Sequence, residues 1–299
     1  MTVSVIVPTI GRPTVRRAVE SALDQTCPPD EVIVVIADDD RVALDMPDHP
    51  AIRLVTVPER IGASASRQVG VRAARGDIVA LLDDDDLWHP YKLERQVAEG
   101  LATGSDRWIV ACRAAVRGVG RREKVWPRTV IGPAQPVADY LFRRSTLFFG
   151  DGMLQSSTLC FPRNVALEVP LDSVGDAVHD EPTWLMTLQG KFDDLVIRQI
   201  AECYTIYTVT SDSVSRSFDD RTADYIDWGD TYLGSSSART RGDYFLTSAV
   251  TAAASAHSAS GVVSAIGHGM THGRPGPMAY LYAMAKLAVV VAPMGRRVG

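Results

Sequence analysis

Residues 83–86 of this 299-residue chain are four consecutive aspartates, set between an apolar run and the pair Leu87-Trp88. Four adjacent carboxylates repel one another, so such a corner calls for a compensating cation. Their hard oxygens suit Mg²⁺ or Mn²⁺, which can bridge onward to phosphate oxygens. The plainer alternative is a solvated acidic turn opening the next helix. Asp38, Asp39 and Asp40 form a second acidic group. A carboxylate there accepts the ring N–H of a pyrimidine-2,4-dione or of guanine, a donor that cytosine and adenine lack; the alternative is an ordinary polar turn. Arg67, in the run GASASR, is a cation that offsets a diphosphate or an unassigned surface arginine. His268 and His272 stand at i, i+4. On a helix that spacing suits a metal, but five Gly and two Pro within residues 261–277 predict a loop and ordinary loop histidines.

The elements that must position these groups follow from apolar periodicity. Residues 3–7 read as a buried strand, and Val15, Ala18, Val19, Ala22 and Leu23 follow at helical spacing, closed by Pro28-Pro29. A second strand, β-branched throughout, covers 32–36 and stops at Asp38; a third covers 52–57. Ala65, Val69 and Ala73 share one helical face, closed by Gly76. A fourth strand at 78–82 stops at Asp83, Pro90 opens a helix carrying Leu93, Val97 and Leu101, and a fifth strand covers 108–112. Continuous apolar strands separated by helices imply a mostly parallel sheet covered on both faces. Ligands of such sheets sit beyond the carboxyl ends of the strands, so both aspartate groups face one crevice. Past residue 113 the alternation fades into a strand at 157–161, a helix at 182–188 and a strand at 196–209. The tail, rich in Ala, Ser and Gly, has helical patterns at 244–256 and 278–291.

Composition removes several classes. With 46% hydrophobic and 22% charged residues the chain is neither disordered nor fibrous. A net charge of −5 excludes a broad nucleic-acid footprint. Cys27, Cys112, Cys160 and Cys203 have no zinc spacing and read as free thiols of a reducing, cytoplasmic compartment. The first residues lack the basic segment of a signal peptide, and no run of about 18 apolar residues exists. In 278–291, Tyr280, Leu281, Met284, Leu287, Ala288 and Val291 form an apolar face for core or dimer packing. Docking on a membrane surface is the alternative, with Lys286, Arg296 and Arg297 as its only basic groups.

VSVIVPT, a second strand ending in aspartates, a Gly-x₄-Arg helix and LLDDDDLWHPYKL, in that order, resemble the inverting family 2 glycosyltransferases with the GT-A fold. The resemblance implies an α/β architecture of GT-A type, a mostly parallel Rossmann-like sheet flanked by helices, with a helical C-terminal extension. Residues 1–112 would bind the nucleotide sugar, 113–230 the acceptor, and 231–299 would form the tail. It implies that Asp83 and Asp85 frame a Mn²⁺ or Mg²⁺ ion, Asp85 directly. Thr9, Asp38 or Asp39, Arg67 and Asp84 would hold the donor, Asp38 or Asp39 at the base and Asp84 at the ribose. HDEPTWL occupies the place of the family's catalytic carboxylate, and Asp180 matches the base. His179 stands where a Glu is usual, and Glu181 and Asp176 are competing carboxylates. Asp180 also reads as an N-cap ahead of Pro182.

Many relatives carry a His after the later strand; residues 207–215 contain none. The Gln-x-x-Arg-Trp motif of processive members is also absent, which favours transfer of one sugar. The expected activity is a single displacement that moves a sugar from a UDP or dTDP sugar to a hydroxyl of a glycan, a lipid-linked acceptor or a small molecule. Two other classes compete. A nucleotidyltransferase would show a Gly-rich, basic N-terminal loop, of which PTIGRP is a poor version. A non-catalytic sugar-nucleotide or glycan-binding protein would bind donor without turnover.

Overall fold

The computed structural model describes residues 1–118, 123–146, 151–174, 178–209 and 219–292. The chain forms two compact units, Met1–Gln135 with Gly152–Thr210, and Pro136–Asp151 with Ser211–Gly299. The expected boundary at 112 falls inside a strand of the first unit.

The first unit contains β1 (Val3–Pro8), α1 (Val15–Leu23), β2 (Glu31–Ala37), a 3₁₀ turn (Asp38–Ala43), β3 (Ile52–Val57), α2 (Ala63–Ala73) and β4 (Ile78–Leu81). There follow β5 (Leu87–Trp88), α3 (Lys92–Leu101), β6 (Trp108–Gly118) and β7 (Lys124–Trp126). The second unit contributes α4 (Val137–Phe142). The first then resumes with a 3₁₀ turn (Ser156–Thr158), β8 (Cys160–Pro162), α5 (Arg163–Glu168), α6 (Asp180–Lys191) and β9 (Val196–Val209). The sheet runs β3-β2-β1-β4-β8-β6-β9-β5, with β7 paired to β6. β3, β2, β1 and β4 are parallel, as the apolar runs of β1, β2 and β4 predict; β3, at the edge, carries Arg53 and Thr56 and is only partly buried. Beyond β4 the sheet is mixed. β8 is antiparallel to β4 and β6, and β9 is parallel to β6 but antiparallel to β5.

Every residue of β1 and β2 is buried. α1 packs Val15, Ala18, Val19 and Ala22 inward. α2 departs from expectation. Its buried face is Ser64, Arg67, Gln68, Gly70 and Val71, rather than Ala65, Val69 and Ala73. Gln68 explains the rotation: its amide donates to Ala166 O at 3.0 Å and accepts from Leu171 N at 2.9 Å, tying α2 to the α5 region. Gly70 lets the helix close on β1, since a Cβ there would lie 2.3 Å from Ile6 Cγ2. α2 ends at Ala73 without help from Gly76, which instead donates its N–H to Ser4 Oγ at 2.9 Å. The expected strand at 157–161 is a 3₁₀ turn followed by the shorter β8. Lys92, fully buried on α3, lies 2.6 Å from Gln96 Oε1 and 3.9 Å from the Trp88 ring centroid.

The rest of the second unit comprises α7 (Thr222–Tyr232), α8 (Ala238–Tyr244), a π-helical turn (Phe245–Ala249), α9 (Val250–Ser255), α10 (Ala259–His272) and α11 (Pro277–Val291). Asp243 is fully buried and accepts from Gly276 N at 2.7 Å, Arg144 N at 2.9 Å and Arg239 Nε at 2.7 Å. The loop expected over 261–277 is corrected, because most of it is α10. Ser258 caps that helix, accepting from Gly261 N at 3.0 Å. Gly269 serves packing: a Cβ there would lie 2.4 Å from Leu246 Cδ1. His268 and His272 stack at 4.0 Å, and His268 Nε2 lies 2.9 Å from Asp230 Oδ1. α11 buries Ala279 and Ala283, while Leu281, Met284 and Val291 are exposed, so the expected core face points outward within this unit. Arg296 and Arg297 lie outside the described residues. No helix among the described residues is long and apolar enough to cross a membrane.

Candidate active site

β4 delivers the chain to residues 83–86, and the turn closes with Asp86 N donating to Asp83 O at 3.2 Å before β5 begins. The four carboxylates alternate in exposure. The Asp83 and Asp85 side chains are 21% and 18% exposed, Asp84 is 4%, and Asp86 is fully buried. The inner pair is braced. Asp84 accepts from Thr9 Oγ1 at 2.6 Å and Arg12 Nη1 at 2.7 Å. Asp86 accepts from Thr208 N at 2.9 Å and Gln155 Nε2 at 3.2 Å. Of the outer pair, Asp83 accepts from Arg67 Nη2 at 2.6 Å and Gln155 Nε2 at 2.8 Å, while its N–H donates to Ser157 Oγ at 2.9 Å. Asp85 lies 3.6 Å from Arg12 Nη1. Burial, then Asp83 and Asp84, push the Asp85 carboxyl above its ordinary value against the pull of Arg12.

The donor set fits a hard divalent cation. It offers carboxylate oxygens only, and the crowding that disfavours charge on Asp85 is what a cation relieves. Among the described residues no three His, Cys, Asp or Glu side chains form a cage. Asp83 and Asp85, the outward pair, are the carboxylates that would hold such an ion.

The second acidic group sits at the carboxyl end of β2. Asp38 and Asp39 are exposed, and Asp40 is paired with Arg60 at 2.6 and 2.8 Å. Gly11, with φ of +79°, approaches this turn so closely that a Cβ would lie 2.9 Å from Asp40 O. Thr9, Asp84 and residues 38–40 thus share the carboxyl ends of β1, β4 and β2. Asp84 is the clamp of this corner, and a ribose hydroxyl reaches it only in competition with Arg12. If Asp38 or Asp39 accepts a ring N–H, its change to Ala weakens UDP or dTDP binding by more than about 1 kcal/mol in calorimetry. Unchanged affinity in both variants places base recognition elsewhere.

α6 supplies the remaining carboxylates. Its N-cap is His179, and Asp180 is its first helical residue, so the reading of Asp180 as N-cap is corrected. Burial pushes His179 down to about 4, leaving a neutral imidazole at the start of α6. Asp180 Oδ2 accepts from Ser64 Oγ at 2.7 Å, joining the first turns of α6 and α2. Glu181 accepts from Ser156 Oγ and lies 3.8 Å from Arg67 Nη1. Arg67, 6% exposed, therefore bridges the aspartate corner and α6, directing its charge at Asp83 and Glu181 rather than standing open for a diphosphate. Burial opposes its charge, and Asp83, Glu181 and Asp180 outweigh burial, holding its pKa above the ordinary arginine value. Asp176 and residues 210–215 lie outside the described residues. Arg12, Ser64, Gln155, Ser156 and Thr208 escaped sequence reasoning; only Arg12, in the loop after β1, stood where a signal was available.

A parallel sheet turning mixed, with paired acidic corners at its strand ends, is the architecture of GT-A glycosyltransferases. The structure of S. aureus TarS residues 1–349 in complex with UDP-GlcNAc superimposes with a TM-score of 0.53 at 14% identity, over 97% of this chain and 91% of that one. The sequence pattern of glycosyl transferase family 2 matches residues 4–160, and the chain belongs to that family. It is 31% identical over 126 residues to the amylovoran biosynthesis glycosyltransferase AmsB of Erwinia amylovora, covering 40% of this chain and 39% of AmsB. It is 38% identical over 95 residues to the succinoglycan biosynthesis protein ExoO of Rhizobium meliloti, covering 31% and 27%. The chain thus matches less than half the length of either relative.

Proposed function

We propose that this chain is an inverting, metal-dependent, non-processive transferase that moves one sugar from a UDP or dTDP sugar to an acceptor hydroxyl. One observation carries the reading: Asp83, which with Asp85 forms the outward pair, is linked through Arg67 to Glu181 in the acidic first turn of α6. The UDP-GlcNAc complex of TarS supports a uridine diphosphate sugar as donor. Relatives named for amylovoran and succinoglycan biosynthesis support a biosynthetic transfer.

A divalent cation held by Asp83 and Asp85 would stabilise the charge on the leaving diphosphate. Asp38 or Asp39 accepts the ring N–H of the base, and Thr9 and Asp84 fix the corner beneath the ribose. Asp180 takes the proton of the acceptor hydroxyl as its oxygen bonds to the anomeric carbon. The bond from that carbon to the diphosphate breaks on the opposite face, so one displacement inverts the centre. Asp180 is assigned this role ahead of Glu181 because the family pattern matches it at the first position of α6, while Glu181 is held by Ser156 Oγ and lies 3.8 Å from Arg67 Nη1.

UDP or dTDP is expected to stabilise the protein more in Mn²⁺ or Mg²⁺ than in EDTA, by up to ~2.7 kcal/mol at a hundredfold excess over Kd. Asp85→Asn removes most of that difference in a thermal-shift measurement. Equal stabilisation in EDTA overturns the metal bridge.

A further inference from the structure

β9 passes the aspartate corner on its way to pair with β5. Leu87 pairs with Ile206, which sets Asp86 beside Tyr207, and Thr208 N donates to Asp86 Oδ1 at 2.9 Å. The register of β9 on β6 is regular from Thr205 to Val209, so side chains two apart share a face. Thr205 Oγ1 donates to Ser157 O at 3.1 Å, and Ser157 Oγ in turn accepts from Asp83 N. Tyr207 therefore projects on the same side as Thr205, toward the part of the corner that carries Asp83.

Its surroundings agree. Burial, followed by Asp86, Asp83, Asp85 and Glu181, pushes the phenol up to about 12. A tyrosine phenol is a neutral, protonated donor at neutral pH, and the carboxylates around this one belong to the corner and to α6. Among the described residues no acceptor takes its hydrogen bond. A neutral donor adds nothing to the repulsion among the carboxylates and does not displace a cation held by them. What it lacks is an acceptor, and a diphosphate bound at this corner brings acceptor oxygens whose charge grows as the bond to the sugar breaks.

We propose that Tyr207 is a donor-binding residue whose hydroxyl donates a hydrogen bond to the terminal phosphate of the departing nucleoside diphosphate. This rests on the nucleotide-sugar reading above. The interaction is stronger with the free product than with the donor, so it favours bond cleavage.

Tyr207→Phe removes one oxygen and keeps the ring, and an unchanged melting temperature certifies its fold. In calorimetry with Mn²⁺ present, its affinity for UDP is expected to fall roughly 10–100-fold, the range for hydrogen bonds to charged groups. Affinity for UMP, which lacks the terminal phosphate, stays at the wild-type value, and kcat falls with UDP affinity. Equal losses for UDP and UMP, or no loss for either, overturn the assignment while wild-type binding of UDP leaves the nucleotide-sugar reading intact. Failure of the wild-type chain to bind UDP, dTDP or GDP overturns that reading, and the role of Tyr207 with it.

Discussion

Asp180→Asn is expected to lower turnover by roughly 10²–10⁴ while donor affinity and stability hold. The residue opens α6 without capping it, and its Oδ2 accepts a hydrogen bond from Ser64 Oγ at 2.7 Å. Asparagine keeps the shape and still accepts from that hydroxyl through its amide oxygen, so the helix and the link to α2 survive. What asparagine loses is the capacity to take a proton. Turnover measured by release of nucleoside diphosphate at saturating donor, beside a denaturant curve for each variant, separates the two properties. Near-normal turnover rejects Asp180 as the base and moves the role to Glu181, the neighbouring carboxylate held by Ser156. Retention at the anomeric carbon of the product would contradict a single displacement whichever carboxylate assists.

Arg67→Met is expected to cost about 3–5 kcal/mol of stability, the range for removing one partner from a buried ion pair. Methionine preserves most of the apolar stem, so the loss reports on the charge. Without the guanidinium, Asp83 and Glu181 face each other across a site already crowded by Asp84, Asp85 and Asp86. Urea unfolding reads the effect directly. A loss below about 1 kcal/mol would mean that the pairs behave like exposed ion pairs, despite the 2.6 Å contact to Asp83. Added Mn²⁺ with UDP is expected to restore part of the loss, because a cation at Asp83 substitutes for some of the missing charge.

β1, β2 and β4 were legible because they are buried along their whole length and are apolar at nearly every position, Ser4 and Glu31 being the polar exceptions. The ordered motifs placed the acidic corners at the ends of β2 and β4 for the same reason. β5 was not legible, since two residues carry no periodicity. α10 was misread because its glycines resemble loop punctuation, whereas Gly269 is a packing residue against Leu246 and Gly267 faces open space within the helix. The buried face of α2 was misjudged because Gln68 and Arg67 go inward for specific partners, and partners hundreds of atoms away along the chain leave no local trace. Gln155 shows the limit most plainly. It touches Asp83 and Asp86 from 72 and 69 residues away, and nothing in QSSTL marks it.

The position of β9 bears on how the protein is made. The corner at residues 83–86 is translated early, and Thr9, Arg12 and Arg67 are there to hold Asp84 and Asp83, but the partners of Asp86 are Gln155 and the backbone of Thr208, and β5 has no sheet partner until β9 exists. About 120 residues separate β5 from the end of β9. At ~5–20 residues per second, a nascent chain waits on the order of ten seconds with the parallel half assembled and the buried Asp86 without those partners. Pairing β6 with β9 then closes a long loop, a slow step for a non-local contact. The donor site is thus completed late in synthesis, although most of its carboxylates emerge among the first hundred residues.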